Sequence, residues 1–198
     1  MKLTLIRHGP TEWNATRRFQ GRTDVPLSAH GRAAAQTIAE RLREEPIDRI
    51  YSSDLSRALE TARIVAQARR GEIVSDERLR EFDFGRWEGL TWDEIVARYP
   101  HLPSVGFRAA KDYAPEGGEA FARVRERIAS FLDDLAKQPI ESVAVVTHAG
   151  PLHAFFSVLD LDKPGLRFTA GGITRIGIEH GTASLISLDE REHLEGVG

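Results

Sequence analysis

The sequence predicts an α/β protein with three layers, α/β/α, in which helices cover both faces of a mostly parallel central sheet. Short apolar or alternating segments typical of strands alternate along the chain with segments of helical periodicity. One of these strand segments, 143–146, is continuously apolar, as expected for a strand that is buried on both faces of a parallel sheet. The length of 198 residues suits a single domain over 1–198, with an irregular lid at about 82–118.

The first half of the chain contains three predicted strands and two predicted helices. Ser28 is typical of a helix N-cap, which places the start of the first helix. A loop as long as 8–27 inside a compact domain is usually functional. In order, the elements are a strand at 2–6, the loop over 8–27, a helix over 28–44, a strand at 49–53, a helix over 56–69 and a strand at 72–75.

The second half is less regular before it returns to clear elements. Apolar residues at spacings of three and four predict a helix over 119–138. We expect Gly181 to form the turn of a hairpin and the last ten residues to form a frayed tail. In order, the elements are a mixed segment at 78–90, a short helix at 91–99, an irregular insertion at 100–118, the helix 119–138, the strand 143–146, a helix whose first turn contains Pro151, and strands near 172–178 and 183–188.

The composition excludes several classes of protein. Without cysteine the chain forms no disulfide, thiolate zinc site, iron–sulfur cluster or cysteine nucleophile. No apolar run approaches the roughly 18 residues of a membrane helix, and the apolar stretch within MKLTLIRHG is too short for a signal peptide. A net charge of -3 disfavours nucleic acid as a partner. We therefore expect a cytoplasmic protein with neither a membrane nor a nucleic acid as partner, and a homodimer is compatible with the sequence.

Polar side chains with phosphoryl-transfer chemistry follow the predicted strands. Ligands bind at the carboxyl ends of the strands in such sheets, so these side chains are expected to gather there. Arginine offers forked donors to phosphoryl oxygens, and histidine is a competent nucleophile toward phosphorus. Glutamate acts as a general acid and base if its pKa is raised. The residues are Arg7, His8, Arg57, Glu81, His148 and the one asparagine of the chain, Asn14.

The segment 7–14 reads RHGPTEWN, which resembles the signature of the histidine phosphatase superfamily, with its phosphoglycerate mutase-like fold. The resemblance continues in order through FQGRTDVPLSAHGRAAAQ, YSSDLSRALETA, LREFDFGRWEG and VVTHAG, and covers about three-quarters of the chain. Within the superfamily, the short chain resembles the α-ribazole phosphatases and the broad-specificity bacterial phosphatases.

The resemblance implies a role for each matching residue. His8 is the nucleophile that forms a phosphohistidine, and Glu81 protonates the leaving alcohol and then helps to activate water. The remaining roles are shared: Arg7, Arg57 and His148 surround the phosphoryl group, Asn14 and the backbone N–H of Ala149 add hydrogen bonds to it, and Gln20 and Gly21 lie on the substrate side of the entrance.

The chemistry of these residues sets further expectations. His8 must be neutral to attack, and the adjacent charges of Arg7 and Arg57 disfavour its imidazolium form. His148 is more useful as a cation, or at least as a donor, while Glu81 must begin with a proton. Side chains alone neutralise the charge, so we expect no metal and no cofactor. The chain departs from the family pattern at Pro10, Ala149 and His153, which puts fine specificity in doubt rather than activity.

Three alternatives remain. The preferred function is a phosphoric monoester hydrolase that acts on a small phosphorylated metabolite, because mutases of the family are longer and carry a C-terminal lid. The alternatives are a 2,3-bisphosphoglycerate-dependent phosphoglycerate mutase, a non-catalytic relative that binds a ligand, and a metal site built from His8, Glu81, His148 and His153. The metal site is disfavoured because arginines beside a cation are unfavourable.

The aromatic residues of 82–113 allow two interpretations. They either pack a lid over the sheet or form an apolar wall for a bulky phosphomonoester, with Phe107 and Tyr113 as the residues to test.

Overall fold

A computed structural model describes residues 1–69, 71–100, 102 and 114–197. Its centre is a six-stranded sheet with the order β3-β2-β4-β1-β5-β6. The strands are β1 (Lys2–Arg7), β2 (Arg49–Ser52), β3 (Ile73–Ser75), β4 (Ser142–Thr147), β5 (Ile173–Glu179) and β6 (Thr182–Glu190). Neighbours among β3, β2, β4 and β1 pair in parallel, whereas β5 runs antiparallel to both β1 and β6. The predicted fold class, a mostly parallel sheet of the phosphoglycerate mutase-like type, is confirmed.

Helices cover both faces of the sheet, as the alternation of buried residues in the strands requires. On one face, Leu3 and Leu5 of β1 join the apolar cluster that includes the buried sides of the fifth and sixth helices. On the other face, Ile6 joins the cluster formed with the second and third helices. The helices are α1 (Glu12–Ala15), α2 (Ala29–Leu42), α3 (Ser56–Arg69), α4 (Trp92–Arg98), α5 (Phe121–Ala136) and α6 (Ala149–Val158).

The loop predicted over 8–27 contains a short helix that the sequence analysis missed. Helix α1 begins with a capping box, in which the Thr11 side chain accepts from the N–H of Asn14 and the Asn14 side chain accepts from the N–H of Thr11. One turn of helix is too short to show a periodic pattern, so only the caps signal it. The prediction of a helix N-cap at Ser28 is confirmed, because its side chain accepts from the N–H of Gly31.

The predicted hairpin is present, but the predicted frayed tail is wrong. His180 and Gly181 both have positive φ, as a two-residue turn between twisted strands requires. Strand β6 continues to Glu190, and a 3₁₀ turn over Glu192–Leu194 follows. His193 of that turn lies 2.9 Å from the carbonyl oxygen of Gly171, which ties the segment to the sheet.

The predicted lid at 82–118 is only partly described. Its described part contains a 3₁₀ turn at Gly85–Trp87 and helix α4, and Trp87 is fully buried. Phe107 and Tyr113 lie outside the described residues, so the test proposed for them stays a prediction. Within the described part of the chain, no helix combines the length and the apolar character needed to cross a bilayer.

Candidate active site

The strand order brings the two predicted catalytic histidines together. Strands β1 and β4 are parallel neighbours, with Arg7 opposite Thr147, so the next residue on each strand, His8 or His148, leaves the sheet at the same edge. The N–H of His8 donates to the carbonyl oxygen of Thr147 at 2.9 Å, which extends the pairing by one residue. The two imidazole rings lie 5.0 Å apart between their centroids.

The surroundings of His8 favour its neutral form. Its Nδ1 lies 2.7 Å from the carbonyl oxygen of Gly9. A carbonyl only accepts, so Nδ1 carries the hydrogen and Nε2 keeps the lone pair. Burial and then the charges of Arg57 and Arg7 lower the pKa of His8 well below its usual value, against the opposing effect of the Gly9 hydrogen bond. The expectation of a neutral His8 therefore agrees with its surroundings.

Two arginines lie near this histidine, Arg57 buried and Arg7 half-buried, and both are anchored by backbone carbonyls. Arg7 donates from Nη1 to the carbonyl of Phe168 at 2.6 Å. Arg57, at the start of α3, donates to the carbonyls of Gly21 at 2.7 Å and Thr23 at 3.0 Å. The Nε atoms of both arginines are buried and have no hydrogen-bond partner within the described structure. Each guanidinium is thus fixed in place with a donor left over for a ligand.

Gly21 supports the site through its backbone, and its predicted place on the substrate side of the entrance stays a prediction. Neither Gly21 nor His148 is among the described residues that line the cavity, and the observed contribution of Gly21 is the carbonyl that holds Arg57. Its φ of +55 and the Glu88 carboxylate, which would lie 2.0 Å from an added Cβ, restrict the position to glycine. Gly21 is therefore a support for Arg57 behind the site.

Glu81 is fixed by two backbone N–H groups. Its Oε1 accepts from Phe82 at 2.8 Å and from Gly150, the second residue of α6, at 2.9 Å. The side chain is nearly buried and lines the cavity with His8, which leaves Oε2 as the oxygen that can exchange a proton with a ligand.

The surroundings of His148 also favour its neutral form. Its Nε2 lies 2.9 Å from Oγ of Ser53, which also accepts from the N–H of Leu55 at 3.3 Å. With the Ser53 hydroxyl as donor to Nε2, the proton of His148 resides on Nδ1, which is buried and unpartnered among the described residues. Burial, followed by the charges of Arg57, His8 and Arg7, lowers the pKa of His148 well below its usual value. His148 is therefore neutral until a phosphoryl group brings its charge, and its expected use as a cation or donor toward that group stays a prediction.

The predicted substrate-binding residues other than Gly21 line the same cavity, whose volume is about 730 Å³. Asn14 uses Oδ1 to accept from Thr11, so its amide nitrogen remains for a ligand. The Oε1 atom of buried Gln20 has no partner in the described chain. Ala149 begins α6, whose N-cap, His148, makes no side-chain capping bond, so the helix N-terminus is open to an anion.

The cavity has an apolar wall, and the aromatic segment predicted at 82–113 supplies only some of its residues. Phe82 and Phe84 come from the predicted aromatic segment, whereas Trp87 of that segment is buried behind the wall. Nothing in the periodicity of α5 distinguishes Phe121 from a core residue. The described apolar residues of the wall are Trp13, Phe19, Phe82, Phe84, Phe121 and Leu166.

The cavity also contains His153, whose ring packs edge-on against Phe168 at 4.9 Å between centroids. Within the described residues, no three histidine, aspartate or glutamate side chains form a cluster that could hold a metal ion.

Two histidines with lowered pKa values, one buried and one half-buried arginine and one fixed carboxyl lie at the carboxyl edge of the parallel part of the sheet, an arrangement suited to phosphoryl transfer. The chain belongs to the histidine phosphatase superfamily (branch 1), whose sequence model matches residues 3–191. It is similar to phosphoserine phosphatase 1 of Hydrogenobacter thermophilus, with 32% identity over 98% of this chain and 90% of that protein. It is also similar to the metal-independent phosphoserine phosphatase of Arabidopsis thaliana, with 33% identity over 100% of this chain and 84% of the relative.

Among solved structures, Bacillus stearothermophilus YhfR superposes with a TM-score of 0.87 at 34% identity, over 98% of this chain and 99% of that one. The family and the two phosphatase relatives confirm the predicted enzyme class, a phosphoric monoester hydrolase.

Proposed function

We propose that the chain hydrolyses the phosphomonoester of a small metabolite through a phosphohistidine on His8, without a metal ion. One observation carries this proposal: three buried atoms, Nε of Arg7, Nε of Arg57 and Nδ1 of His148, lack partners in the described structure and belong to residues that lie close to the neutral His8. Buried polar groups are nearly always satisfied, so unused donors at one place indicate a ligand with several acceptor oxygens. A phosphoryl group has this chemistry.

The first half-reaction transfers the phosphoryl group to the enzyme. The Nε2 lone pair of His8 forms the bond to phosphorus as the bond between phosphorus and the ester oxygen breaks. The proton on Glu81 goes to the leaving oxygen, and the product alcohol departs. The arginines and His148 stabilise the three equatorial oxygens, where negative charge gathers.

The second half-reaction restores the enzyme. The Glu81 carboxylate takes a proton from water as the water oxygen attacks phosphorus, and the bond between phosphorus and Nε2 breaks. His8 returns to its neutral form and orthophosphate leaves. Two hydrogen bonds from backbone N–H groups to Oε1 of Glu81 keep the carboxyl in one place for both proton transfers.

The apolar wall supports an alcohol portion with apolar surface, and the relatives named phosphoserine phosphatases support a small metabolite. Phe84→Ala should then raise KM for aromatic phosphate esters more than KM for phosphoserine. Equal increases in KM for both substrates would show that the apolar wall does not contribute to binding of the alcohol portion.

The test is a panel of phosphomonoesters assayed with EDTA, which includes phosphoserine, an aromatic ester and 3-phosphoglycerate. We expect activity in the wild type, an acid-labile phosphoenzyme during turnover, and loss of both in His8→Ala. His30→Ala is the matched control, because His30 is an exposed histidine of α2. Activity that survives in His8→Ala, or that disappears with EDTA, overturns the mechanism.

The mutase alternative is an outcome of the same panel. Conversion of 3-phosphoglycerate into 2-phosphoglycerate in the presence of 2,3-bisphosphoglycerate, at a rate above hydrolysis, would replace the proposed function.

A cytoplasmic location and a homodimer stay predictions. Fractionation of cells tests the location, and light scattering on the purified chain tests the oligomeric state.

A further inference from the structure

The carbonyl that anchors Arg7 belongs to segment 168–172, which lies directly behind the catalytic residues. Besides the bond from Arg7 to Phe168, this segment pairs with the backbone of the site. The N–H of Gly171 donates to the carbonyls of Arg7 at 3.1 Å and His8 at 3.0 Å, and the N–H of Arg7 donates to Gly172 at 3.1 Å. The position of segment 168–172 therefore determines where the Arg7 guanidinium lies.

Segment 168–172 is held in turn by the carboxylate of Asp189, in addition to the contact between His193 and the Gly171 carbonyl. Oδ1 accepts from the N–H of Thr169 at 2.7 Å and Oδ2 accepts from the hydroxyl of Thr169 at 2.8 Å. Thr169 immediately follows Phe168, whose carbonyl holds Arg7. An added Cβ at Gly172 would lie 2.3 Å from Oδ1, so the carboxylate also packs closely against the other end of the segment.

The backbone at Asp189 departs from regular strand geometry in order to point this side chain at the segment. Between the pairs Ile173↔Glu190 and Arg175↔Ser187, strand β6 has two residues where β5 has only Thr174. Such a β-bulge redirects a side chain, and bulges are frequent beside active sites. Asp189 has a φ of 49, in the left-handed region that non-glycine residues seldom adopt, and its N–H donates to Oγ1 of Thr174 at 3.0 Å.

We propose that Asp189 is a positioning residue for the phosphoryl-binding Arg7, acting through Thr169 and the Phe168 carbonyl. The inference rests on the proposed function of Arg7 and adds a residue of β6 to the machinery. Asp189 also attracts Arg7 electrostatically. Asp189 acts mainly through the hydrogen bonds to Thr169, because these bonds fix the direction of the Arg7 guanidinium, whereas electrostatic attraction alone does not.

The test measures orthophosphate binding by isothermal titration calorimetry, in the wild type and in the Arg7→Ala background. Asp189→Gly removes the carboxylate and suits the left-handed backbone, so its effect reports the loss of the clamp without added strain. We expect orthophosphate to bind about tenfold more weakly in Asp189→Gly, and less than about twofold more weakly when the same change is made in Arg7→Ala. His180→Gly is the matched control, since His180 has the same φ of 49 at the far turn of the hairpin.

Two further variants separate positioning from charge and from folding. Asp189→Asn keeps an acceptor for the Thr169 N–H and tolerates the left-handed backbone, so binding should stay within about twofold of the wild type. Thr169→Val removes one of the two clamping bonds without touching residue 189, and should weaken binding about threefold even if Asp189→Gly does not fold.

The outcomes divide clearly. Unchanged binding in both Asp189→Gly and Thr169→Val overturns the inference, as does an equal loss in the Arg7→Ala background. Binding by Asp189→Asn as weak as in Asp189→Gly also overturns it, because charge rather than the clamp would then be responsible. A wild type that binds no orthophosphate overturns the proposed function itself, whereas a wild type that binds while the Asp189 and Thr169 variants bind equally well removes only this inference.

Discussion

Gly150 is the position at which the geometry of Glu81 can be disturbed by a single methyl group. Its N–H donates to Oε1 of Glu81, and a Cβ built on it would lie 2.4 Å from that oxygen. Real Cβ atoms essentially never approach closer than 3.0 Å, so the carboxyl must retreat by about 0.6 Å. Phe82 lies on the other side, with its Cβ 3.2 Å from the added methyl, and limits where the carboxyl can go.

Gly150→Ala is expected to slow the proton transfers of Glu81 without destabilising the fold. A misplacement of about 1 Å costs about 10²-fold in rate when it separates reacting groups, and here the smaller shift is combined with weakening of both bonds that hold Oε1. We therefore expect kcat/KM for alkyl phosphates to fall about 10²-fold in Gly150→Ala. The same change removes a glycine from the first turn of α6, which by itself would stabilise the protein by about 0.5–1 kcal/mol.

The assay compares esters with poor and good leaving groups. Nitrophenyl phosphate needs little help from a general acid, so its kcat/KM, which reports on the first half-reaction alone, should fall less than about fivefold while kcat/KM for phosphoserine falls about 10²-fold. Glu81→Gln should reproduce this pattern. Gly177→Ala is the control, because an added Cβ there meets only the side chains of Ser184 at 3.2 Å and Ile186 at 3.5 Å and more.

Thermal unfolding is measured on the same samples. The reasoning is refuted if Gly150→Ala, folded with a melting temperature at or above that of the wild type, keeps its kcat/KM on phosphoserine. It is also refuted if kcat/KM falls equally for both esters, because the change would then act on phosphoryl binding and not on the proton.

Three further outcomes follow from the same structure. Ser53→Ala should replace the Nδ1–H tautomer of His148 by a mixture in ¹⁵N NMR spectra; an unchanged spectrum would show that Ser53 does not select it. Orthophosphate should raise the pKa of His148, so binding should take up a proton, seen as a dependence of the binding enthalpy on buffer ionisation; no dependence would contradict this. Burial alone would raise the pKa values of Glu45 and Glu190, but Arg175 and its neighbours lower them overall, so their stabilisation is complete above about pH 4.5 and is lost as pH falls through the lowered values. Glu45→Gln should therefore lose fewer degrees of melting temperature between pH 7 and pH 3.5 than the wild type, and an equal loss would refute it.

The sequence was sufficient for the parts of the site that follow strands directly. Arg7, His8 and His148 stand at strand ends, and parallel strands deliver their carboxyl ends to one edge, so local patterns place them. That the two histidines touch depends on β1 and β4 being neighbours, which is a property of the strand order and not of either segment. The resemblance to the superfamily supplied the predicted roles of Gln20, Gly21 and Ala149, which local patterns could not assign.

Residues whose roles depend on loop geometry escaped prediction. Gly21 carries no side chain, and only the conformation of its loop reveals that its carbonyl holds Arg57. Asp189 was assigned to a frayed tail, because a β-bulge leaves no periodic signal that could mark it. The hydrogen-bond partner that selects the tautomer of His148 is Ser53, which lies 95 residues away in the sequence.

The protonation states combine into one electrostatic arrangement. His8 and His148 are neutral because burial and the arginines lower their pKa values. The proposed mechanism places a proton on Glu81, so the charges that its remaining residues bring to the reacting atoms are those of Arg7 and Arg57, which together match the two negative charges of a phosphomonoester. A third positive charge, on either histidine, would add repulsion between buried cations before the ester binds. A bound dianionic phosphomonoester removes this repulsion, because its negative charge allows His148 to take up a proton. The cavity thus favours a dianionic phosphomonoester over a singly charged diester, and diesters should be poor substrates even where the apolar wall has room for them.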